Sequence, residues 1–267
     1  MPTLKPALPC VRLAAVGALA LLASGCAVPV STAPTSCNAV EYSVHDPALS
    51  INRAIFAFNR TVDDYALAPV ARGYLHLPGF FQTGVHNFVA NFGEPKVFIN
   101  DLLQGNGRRS VNTLGRFVIN TTVGVVGLID VSGKFGIERH KADFGQTFGV
   151  WNIADGPIVE LPLLGTANLR DATGKVLSFA VDPFGDNSDT VETLSTINTV
   201  GGIVDGRARL LPLTDKLRQQ PDYYTALRDV VAAKRARFVD EGRSGALMGE
   251  APDCSGIKSP RSQDNDL

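Results

Sequence analysis

Along most of this chain, apolar residues recur at helical spacing, interrupted often by glycine and proline. In the segment INRAIFAFNRTVDDYAL, Ile51, Ala54, Ile55, Phe58, Val62 and Tyr65 share one face of a helix. The other face carries Asn52, Arg53, Asn59, Arg60 and Asp63. Asp46-Pro47 marks a turn before it, Ser50 is the expected N-cap, and Pro69 ends or kinks it. Leu75 to Gly84, with Pro78 and Gly79, reads as a link. From Gln82 to Gln104 the helical pattern returns with Val85, Phe88, Val89 and Phe92, and Gly93-Glu94-Pro95 is expected to interrupt it. Gly105-Asn106-Gly107 closes that element. After Arg108-Arg109-Ser110 a further helix sets Val111, Leu114, Phe117, Val118, Thr121 and Val125 on one side.

Val123 to Ile129 is almost free of polar side chains, and Asp130 to His140 reads as a connection of mixed charge. Gly174 to Phe184 is short and apolar. A helix spans Ser188 to Leu211 with Gly201-Gly202 inside it. Another starts at Gln220-Pro221-Asp222 and runs to about Glu241, with Tyr224, Leu227, Val230, Val231 and Phe238 on one face. Strand-type alternation is rare and no repeat period is found.

One stretch escapes this pattern. Asp143 to Asp171 is too apolar for an ordinary loop, and too broken by Gly145, Gly149, Gly156, Pro157, Pro162 and Gly165 for one helix or strand. It also holds the only tryptophan, Trp151. Buried loop backbone must find hydrogen-bond partners. The stretch therefore either packs inside the fold or belongs to a protein that sits partly outside water.

The fold class expected is mainly α, one domain of short, interrupted amphipathic helices. Two packings suit such helices. They can lie partly immersed in one leaflet of a bilayer, or they can bury their apolar faces on one another in a soluble all-α domain. Periodicity by itself favours the soluble arrangement. After the N-terminal segment no stretch reaches the length of about 18 apolar residues needed to span a bilayer as a simple helix.

The N-terminus changes the picture. Lys5 and Arg12 precede the apolar run Leu13 to Ala23, which is about half the length of a membrane span. It ends in Leu22-Ala23-Ser24-Gly25-Cys26, the pattern of a bacterial lipoprotein processing site, so Cys26 is the expected lipidation site. Ala27 follows, and no Asp stands there to retain the protein at an inner membrane, which by lipoprotein sorting rules suggests the outer membrane. The expected organisation is a signal peptide over residues 1–25, a Pro-, Ser- and Thr-rich tether over 26–44, a helical domain over 45–241 and a polar, disordered tail over 242–267. Cys10 leaves with the signal. Cys37 and Cys254 remain, and an oxidising compartment permits a disulfide between them. Closing so long a loop contributes at most about 5 kcal/mol.

Reactive chemistry is hard to find. The formal net charge of −1 over 267 residues offers no footprint for nucleic acid. His45, His76, His86 and His140 make no H-E-x-x-H motif, and His140 with Asp143 reads as an exposed turn rather than a ligand pair. There is no G-x-S-x-G elbow. Neither Gly105-Asn106-Gly107 nor Gly174-Lys175 completes a nucleotide loop. The carboxylate pairs Asp63-Asp64 and Asp182/Asp186 read as solvated faces or caps. Arg108-Arg109 reads as an exposed helix start, with a phospholipid head group as the alternative contact. No catalytic residue, metal ligand or cofactor is expected.

Five blocks in order, behind the lipidation signal, resemble the MlaA/VacJ family of outer-membrane phospholipid-transport lipoproteins. They are Asp46-Pro47 with INRAIFAFN; GEPKVFINDLLQG; GRFVINTTVGVVGLIDV; DFGQTFGVW with GPIVELPLLG; and Leu169-Arg170-Asp171 shortly before Asp182-Pro183. Together they cover about His45 to Arg237. The resemblance implies a ring-like helical domain embedded in one leaflet, with an amphipathic channel through it. It also implies removal of phospholipid from the outer leaflet and its transfer to a soluble periplasmic carrier, in association with a trimeric porin and with no enzymatic step. Asn120, Thr121 and Thr122, polar residues on an otherwise apolar helix, are the candidate lining of the lipid passage, with helix-to-helix hydrogen bonding as the alternative. Trp151 is a candidate anchor at the head-group level, with a place in the core as the alternative. A structural lipoprotein that holds porins without transport, and a secreted lipid hydrolase, are the competing functions.

Overall fold

The computed structural model describes residues 44–181, 183 and 189–247. The chain divides after Ala33, and every described residue lies in the unit Pro34–Leu267. The signal peptide, Cys26, Cys37, Asp182, Asp186, Cys254 and the tail from residue 248 lie outside the described residues.

The first helix, α1, spans Leu49–Val62. Its N-cap is Ala48, two residues before the Ser50 cap expected, and it makes no side-chain cap. A π-helical turn, Asp63–Leu67, joins it to α2, Ala68–Leu75. The Ala68 N–H bonds to the Asp63 carbonyl five residues back. This widening stands just before Pro69, which has no N–H for a regular turn, so the proline sits in the first turn of α2 and the helical path continues.

Pro78 precedes α3, Gly79–Leu103. Pro95 does not break it, contrary to the expected interruption. Its neighbour Glu94 is buried and ion-paired, and tertiary contacts of that kind outweigh one lost helical bond. A tight turn with Gly105 at φ 70° reverses the chain into α4, Gly107–Thr122, which the Asn106 side chain caps at the Arg109 N–H. Helices α3 and α4 pack on each other as a helical hairpin. The short α5, Val131–Lys134, is capped by Asp130.

The puzzling stretch resolves into three pieces. Asp143 caps α6, Phe144–Val150. Strands β1, Ile158–Leu161, and β2, Gly165–Asn168, form an antiparallel pair with Ile158 opposite Asn168 and Leu161 opposite Gly165. Asn168 then caps α7, Leu169–Ala180. The glycines permit close approach: a Cβ on Gly174 would lie 2.4 Å from the Gly145 nitrogen, so α6 and α7 cross with backbones in contact. The hairpin carries no strand signature in the sequence, because IVEL does not alternate apolar and polar residues and GTAN holds only small or polar ones.

Helix α8 runs from Asp189 to Leu217 and carries Pro212 within it. Helix α9 runs from Tyr223 to Ser244, capped by Asp222 and ended by Gly245 at φ 68°. It continues past the end expected at Glu241, because Gly242 packs against the Gln146 side chain. The clearest apolar core cluster is small: Ala68, Ala71 and Tyr74 of α2 against Ala208 and Leu211 of α8, with Val85 and Val204 beside it. Among the described helices none is long and apolar enough to cross a membrane.

Candidate functional site

The interior of this protein is polar. Its largest fully buried side chains are Arg109, Arg116, Gln146, Glu94, Asn100 and Asn120. Its outer surface carries Val111, 73% exposed, with Ile51, Phe58, Tyr65, Phe80, Leu114, Val118 and many other large apolar residues. This reverses the expectation that the apolar faces pack on each other. On α4 the residues turned inward are Arg109, Thr113, Arg116 and Asn120, while Val111, Leu114 and Val118 face out. On α1, Asn52 is buried, whereas Ile51, Phe58 and the following Tyr65 are exposed.

Burial of so many polar groups requires that they find partners. Arg116 bridges Glu94 at 3.4 Å, Asp130 at 2.8 Å and the Ile137 carbonyl. Arg139 joins Glu94 from the other side at 3.4 Å. Burial pushes the Glu94 carboxyl up to about 7, against the pull of Arg139 and Arg116. Asp130 moves the other way: burial opposes its ionisation, but the Gly133 N–H, Arg116 and Asn120 bond its carboxylate and hold it below the usual range. Next to this group, Asp101 accepts from Thr113 at 2.7 Å and lies 2.8 Å from His140 Nε2. Arg109 faces Asp101 at 3.6 Å and donates to the Lys141 carbonyl at 2.7 Å. His140 and Arg109, read from sequence as exposed, are therefore buried parts of one network.

A third group ties α6, α7 and α9. Arg235 bonds Asp143 at 2.7 and 3.0 Å and Asp171 at 2.7 and 3.0 Å, a bidentate contact on each. Asp171 also accepts from Arg170 at 3.1 Å. Burial disfavours the Asp143 carboxylate, but Arg235 more than offsets this and holds it below the usual range. A cavity of about 260 Å³ opens beside this group, between the β-hairpin, α7 and α9. Nearby, burial together with Lys234, Arg139 and Arg209 depresses the Lys141 ammonium. Asp63 pairs with Arg207 and Arg218, so it is a tie between helices rather than a solvated face.

The sequence-chosen residues fall in different places. Asn120 is buried, donates to Asp130 at 3.0 Å and accepts the Ser132 N–H and hydroxyl, both at 2.9 Å. Thr121 is half-buried and accepts from Asn91 at 2.9 Å. Thr122 is exposed and donates to the Val118 carbonyl at 2.7 Å. The three thus pass from buried to exposed along one turn of α4. Trp151 is half-exposed, lies 6.0 Å from the Phe148 ring and donates its indole N–H to the Leu103 carbonyl at 3.0 Å. The network residues missed by sequence reading were nonetheless marked. Arg109, Thr113, Arg116 and Asn120 repeat at helical spacing, a polar stripe opposite Val111, Leu114 and Val118 that could have pointed to them as a group.

The segment Val123 to Ile129 shows how irregular backbone meets this surface. Val123, Val125, Val126, Leu128 and Ile129 are all exposed. Val125 and Val126 hold φ at 54° and 55°, costly for β-branched residues. Yet the N–H groups of Gly124, Val126, Gly127, Leu128 and Ile129 all bond to carbonyls of the same turn or of the end of α4. These internal bonds lower the cost of holding such a non-helical segment away from water.

A helical protein with a polar, ion-paired interior and an apolar outer surface belongs to the class built for contact with lipid. Comparison with known proteins agrees. The MlaA lipoprotein profile matches residues 44–237, and the chain belongs to that family. The chain is 33% identical over 211 residues to the Escherichia coli protein named intermembrane phospholipid transport system lipoprotein MlaA, covering 74% of this chain and 79% of that one. It is 35% identical over 202 residues to a Rickettsia felis protein, covering 73% and 77% of the two chains. It also superposes with a TM-score of 0.63 and 31% identity on a solved structure described as the structural basis for maintenance of bacterial outer membrane lipid asymmetry. That match covers 73% of this chain and 98% of the other.

Proposed function

We propose that this protein is an outer-membrane lipoprotein that removes phospholipid from the outer leaflet and passes it toward a soluble periplasmic carrier, so maintaining lipid asymmetry. The observation that carries the reading is the reversed distribution of residues: buried Arg109, Arg116 and Glu94, and exposed Val111, Phe80 and Ile51. An apolar exterior suits a domain lodged in one leaflet, and a polar interior suits passage of head groups without covalent chemistry. The membership in the MlaA lipoprotein family supports it.

The finer parts belong to the same proposal. Cys26 carries the lipid anchor, and Cys37 pairs with Cys254. The helices form a ring in one leaflet, beside a trimeric porin. Thr121, half-buried against Asn91, borders the lipid passage, with Asn120 holding that wall from behind and Thr122 at its edge. Trp151 anchors the domain at the head-group level, its indole face outward and its N–H already bonded.

The test is deletion of the chain followed by an assay of phospholipid in the outer leaflet. Accumulation there supports transport. An unchanged outer leaflet, with a porin still captured by the protein, overturns transport and leaves a structural porin-associated lipoprotein. Intact mass of the mature protein with and without reductant tests the disulfide, and two free thiols before reduction reject it.

A further inference from the structure

The cavity between the β-hairpin, α7 and α9 has two kinds of wall. Leu164, Phe179 and Val231 are apolar, and Asp143, Lys175 and Arg235 are charged. Its volume of about 260 Å³ is too small for a whole lipid and lies just below the range of pockets that enclose a drug-sized molecule. Leu163, Leu164, Val176 and Phe179 are exposed around it, so the surface near its mouth is apolar.

The charges are unequally engaged. Arg235 spends its donors on Asp143 and Asp171. Lys175 uses one N–H on the Leu164 carbonyl at 3.1 Å and makes no ion pair among the described residues. An ammonium has three donors, so two remain to meet a ligand. Asp143 takes the Gln146 N–H and one Arg235 bond on Oδ1, but only one Arg235 bond on Oδ2. Its side chain is 43% exposed despite those bonds. The cavity thus offers a cation with spare donors and a carboxylate with spare acceptor capacity. Two carboxylates, Asp143 and Asp171, face two cations, Arg235 and Lys175, so the walls sum to neutral and give an anion no net attraction.

We infer that this cavity is a head-group subsite for a zwitterionic, amine-bearing phospholipid, with the phosphate on Lys175 and the head-group ammonium on Asp143. The inference rests on the transport reading above and specifies its substrate. Phosphate and ammonium together could also come from free phosphoethanolamine; the apolar wall and rim favour the lipid, whose glycerol and first acyl carbons would lie along Leu164 and Phe179. Burial and the nearby Arg235 hold the Lys175 ammonium below its usual range, a cost that a bound phosphate relieves.

The experiment is binding of dihexanoyl-phosphatidylethanolamine, dihexanoyl-phosphatidylglycerol and free phosphoethanolamine to the full purified protein. The expected order is phosphatidylethanolamine ahead of phosphatidylglycerol, with free phosphoethanolamine weakest. Lys175→Gln should weaken both lipids about tenfold, as for loss of one charge-assisted bond, while Lys175→Arg retains them. Asp143→Asn, which keeps a capping side chain, should erase the preference for the amine head group. Equal or tighter binding of phosphatidylglycerol by the unaltered protein overturns the subsite, and this holds even if a variant fails to fold. So does unchanged binding by folded Lys175→Gln. Free phosphoethanolamine as tight as the lipid rejects the lipid source. If binding follows the expected order but deletion leaves the outer leaflet unchanged, the transport reading fails and the subsite stands. If deletion disturbs the outer leaflet and Lys175→Gln restores it with unaltered lipid binding, the subsite fails and transport stands.

Discussion

Asn52 and Glu160 lie 108 residues apart, yet the Asn52 side-chain carbonyl accepts the Glu160 N–H at 3.0 Å. The same amide donates to the Ile158 carbonyl at 3.1 Å and to Asp46 at 2.7 Å. Two helical turns on, Asn59 repeats the pattern, donating to the Leu161 carbonyl at 2.9 Å and accepting the Leu163 N–H at 2.7 Å. Two asparagines on the inner face of α1 thus act as the neighbouring strand for the outer edge of β1. The Ile158 N–H on that edge donates to the His45 carbonyl, and without the two asparagines the Glu160 N–H and the Ile158 and Leu161 carbonyls beside it would be left unpaired.

Replacing Asn52 by Ala should destabilise the protein by about 1–3 kcal/mol, because it leaves a strand N–H and carbonyl without partners. Hydrogen exchange at Ile158 to Leu161 checks the cause: protection there should fall more than protection in α3 or α4. Equal loss everywhere would mean that Asn52 supports only the global fold.

Glu94 sets a pH dependence. Its carboxyl sits at about 7 in the fold against 4.5 as the ordinary value, so between these limits the folded state holds the extra proton. Its contribution is complete below about 4.5 and is lost as pH rises toward and through about 7, a change on the order of 3 kcal/mol. Asp143 and Asp130, depressed, act in the opposite sense, and their contribution is lost as pH falls below 3.8. Unfolding midpoints from pH 4 to 8 should show the native protein losing stability relative to Glu94→Gln between about pH 4.5 and 7 and levelling off above that. A constant difference between the two proteins contradicts this.

Gly127 should not tolerate a side chain. It holds φ at 88°, and a Cβ there would lie 2.5 Å from the Asn91 Cβ. Gly127→Ala should therefore cost more than about 1 kcal/mol, in contrast to the small gain of a glycine-to-alanine change at an unstrained site. Thermal unfolding in detergent measures it, with Gly115→Ala as control, since nothing lies within 4 Å of a Cβ at that position.

The inverted helix α4 yields a paired prediction. Val111→Ser, on the exposed face, should change stability in detergent by no more than about 0.5 kcal/mol while weakening association with vesicles. Thr113→Val, nearly the same in shape but buried, removes the hydroxyl that bonds Asp101 and should cost about 1–3 kcal/mol. A larger loss for Val111→Ser than for Thr113→Val would argue that the apolar face is the packed one.

The sequence by itself marked the long amphipathic helices, because periodicity is local. The segments around Ile51, Val111 and Tyr224 are helical as expected, and Asp222 stands at the cap of α9 where a start signal was read. The ordered motifs were also enough to bring out the family. Tertiary structure alone decided which face of each helix points inward. An amphipathic pattern is symmetric in this respect: it says that two faces differ, and the surrounding medium decides which one is buried. Arg109, Thr113, Arg116 and Asn120 could be a wet stripe or an inner one until Asp101, Glu94 and Asp130 are placed across from them by α3 and the turn before α5. The β-hairpin and the Asp143–Arg235–Asp171 bridge are likewise long-range. Their partners lie on α1 and α9, far along the chain, and no local pattern encodes a hydrogen bond between segments that meet only in the fold.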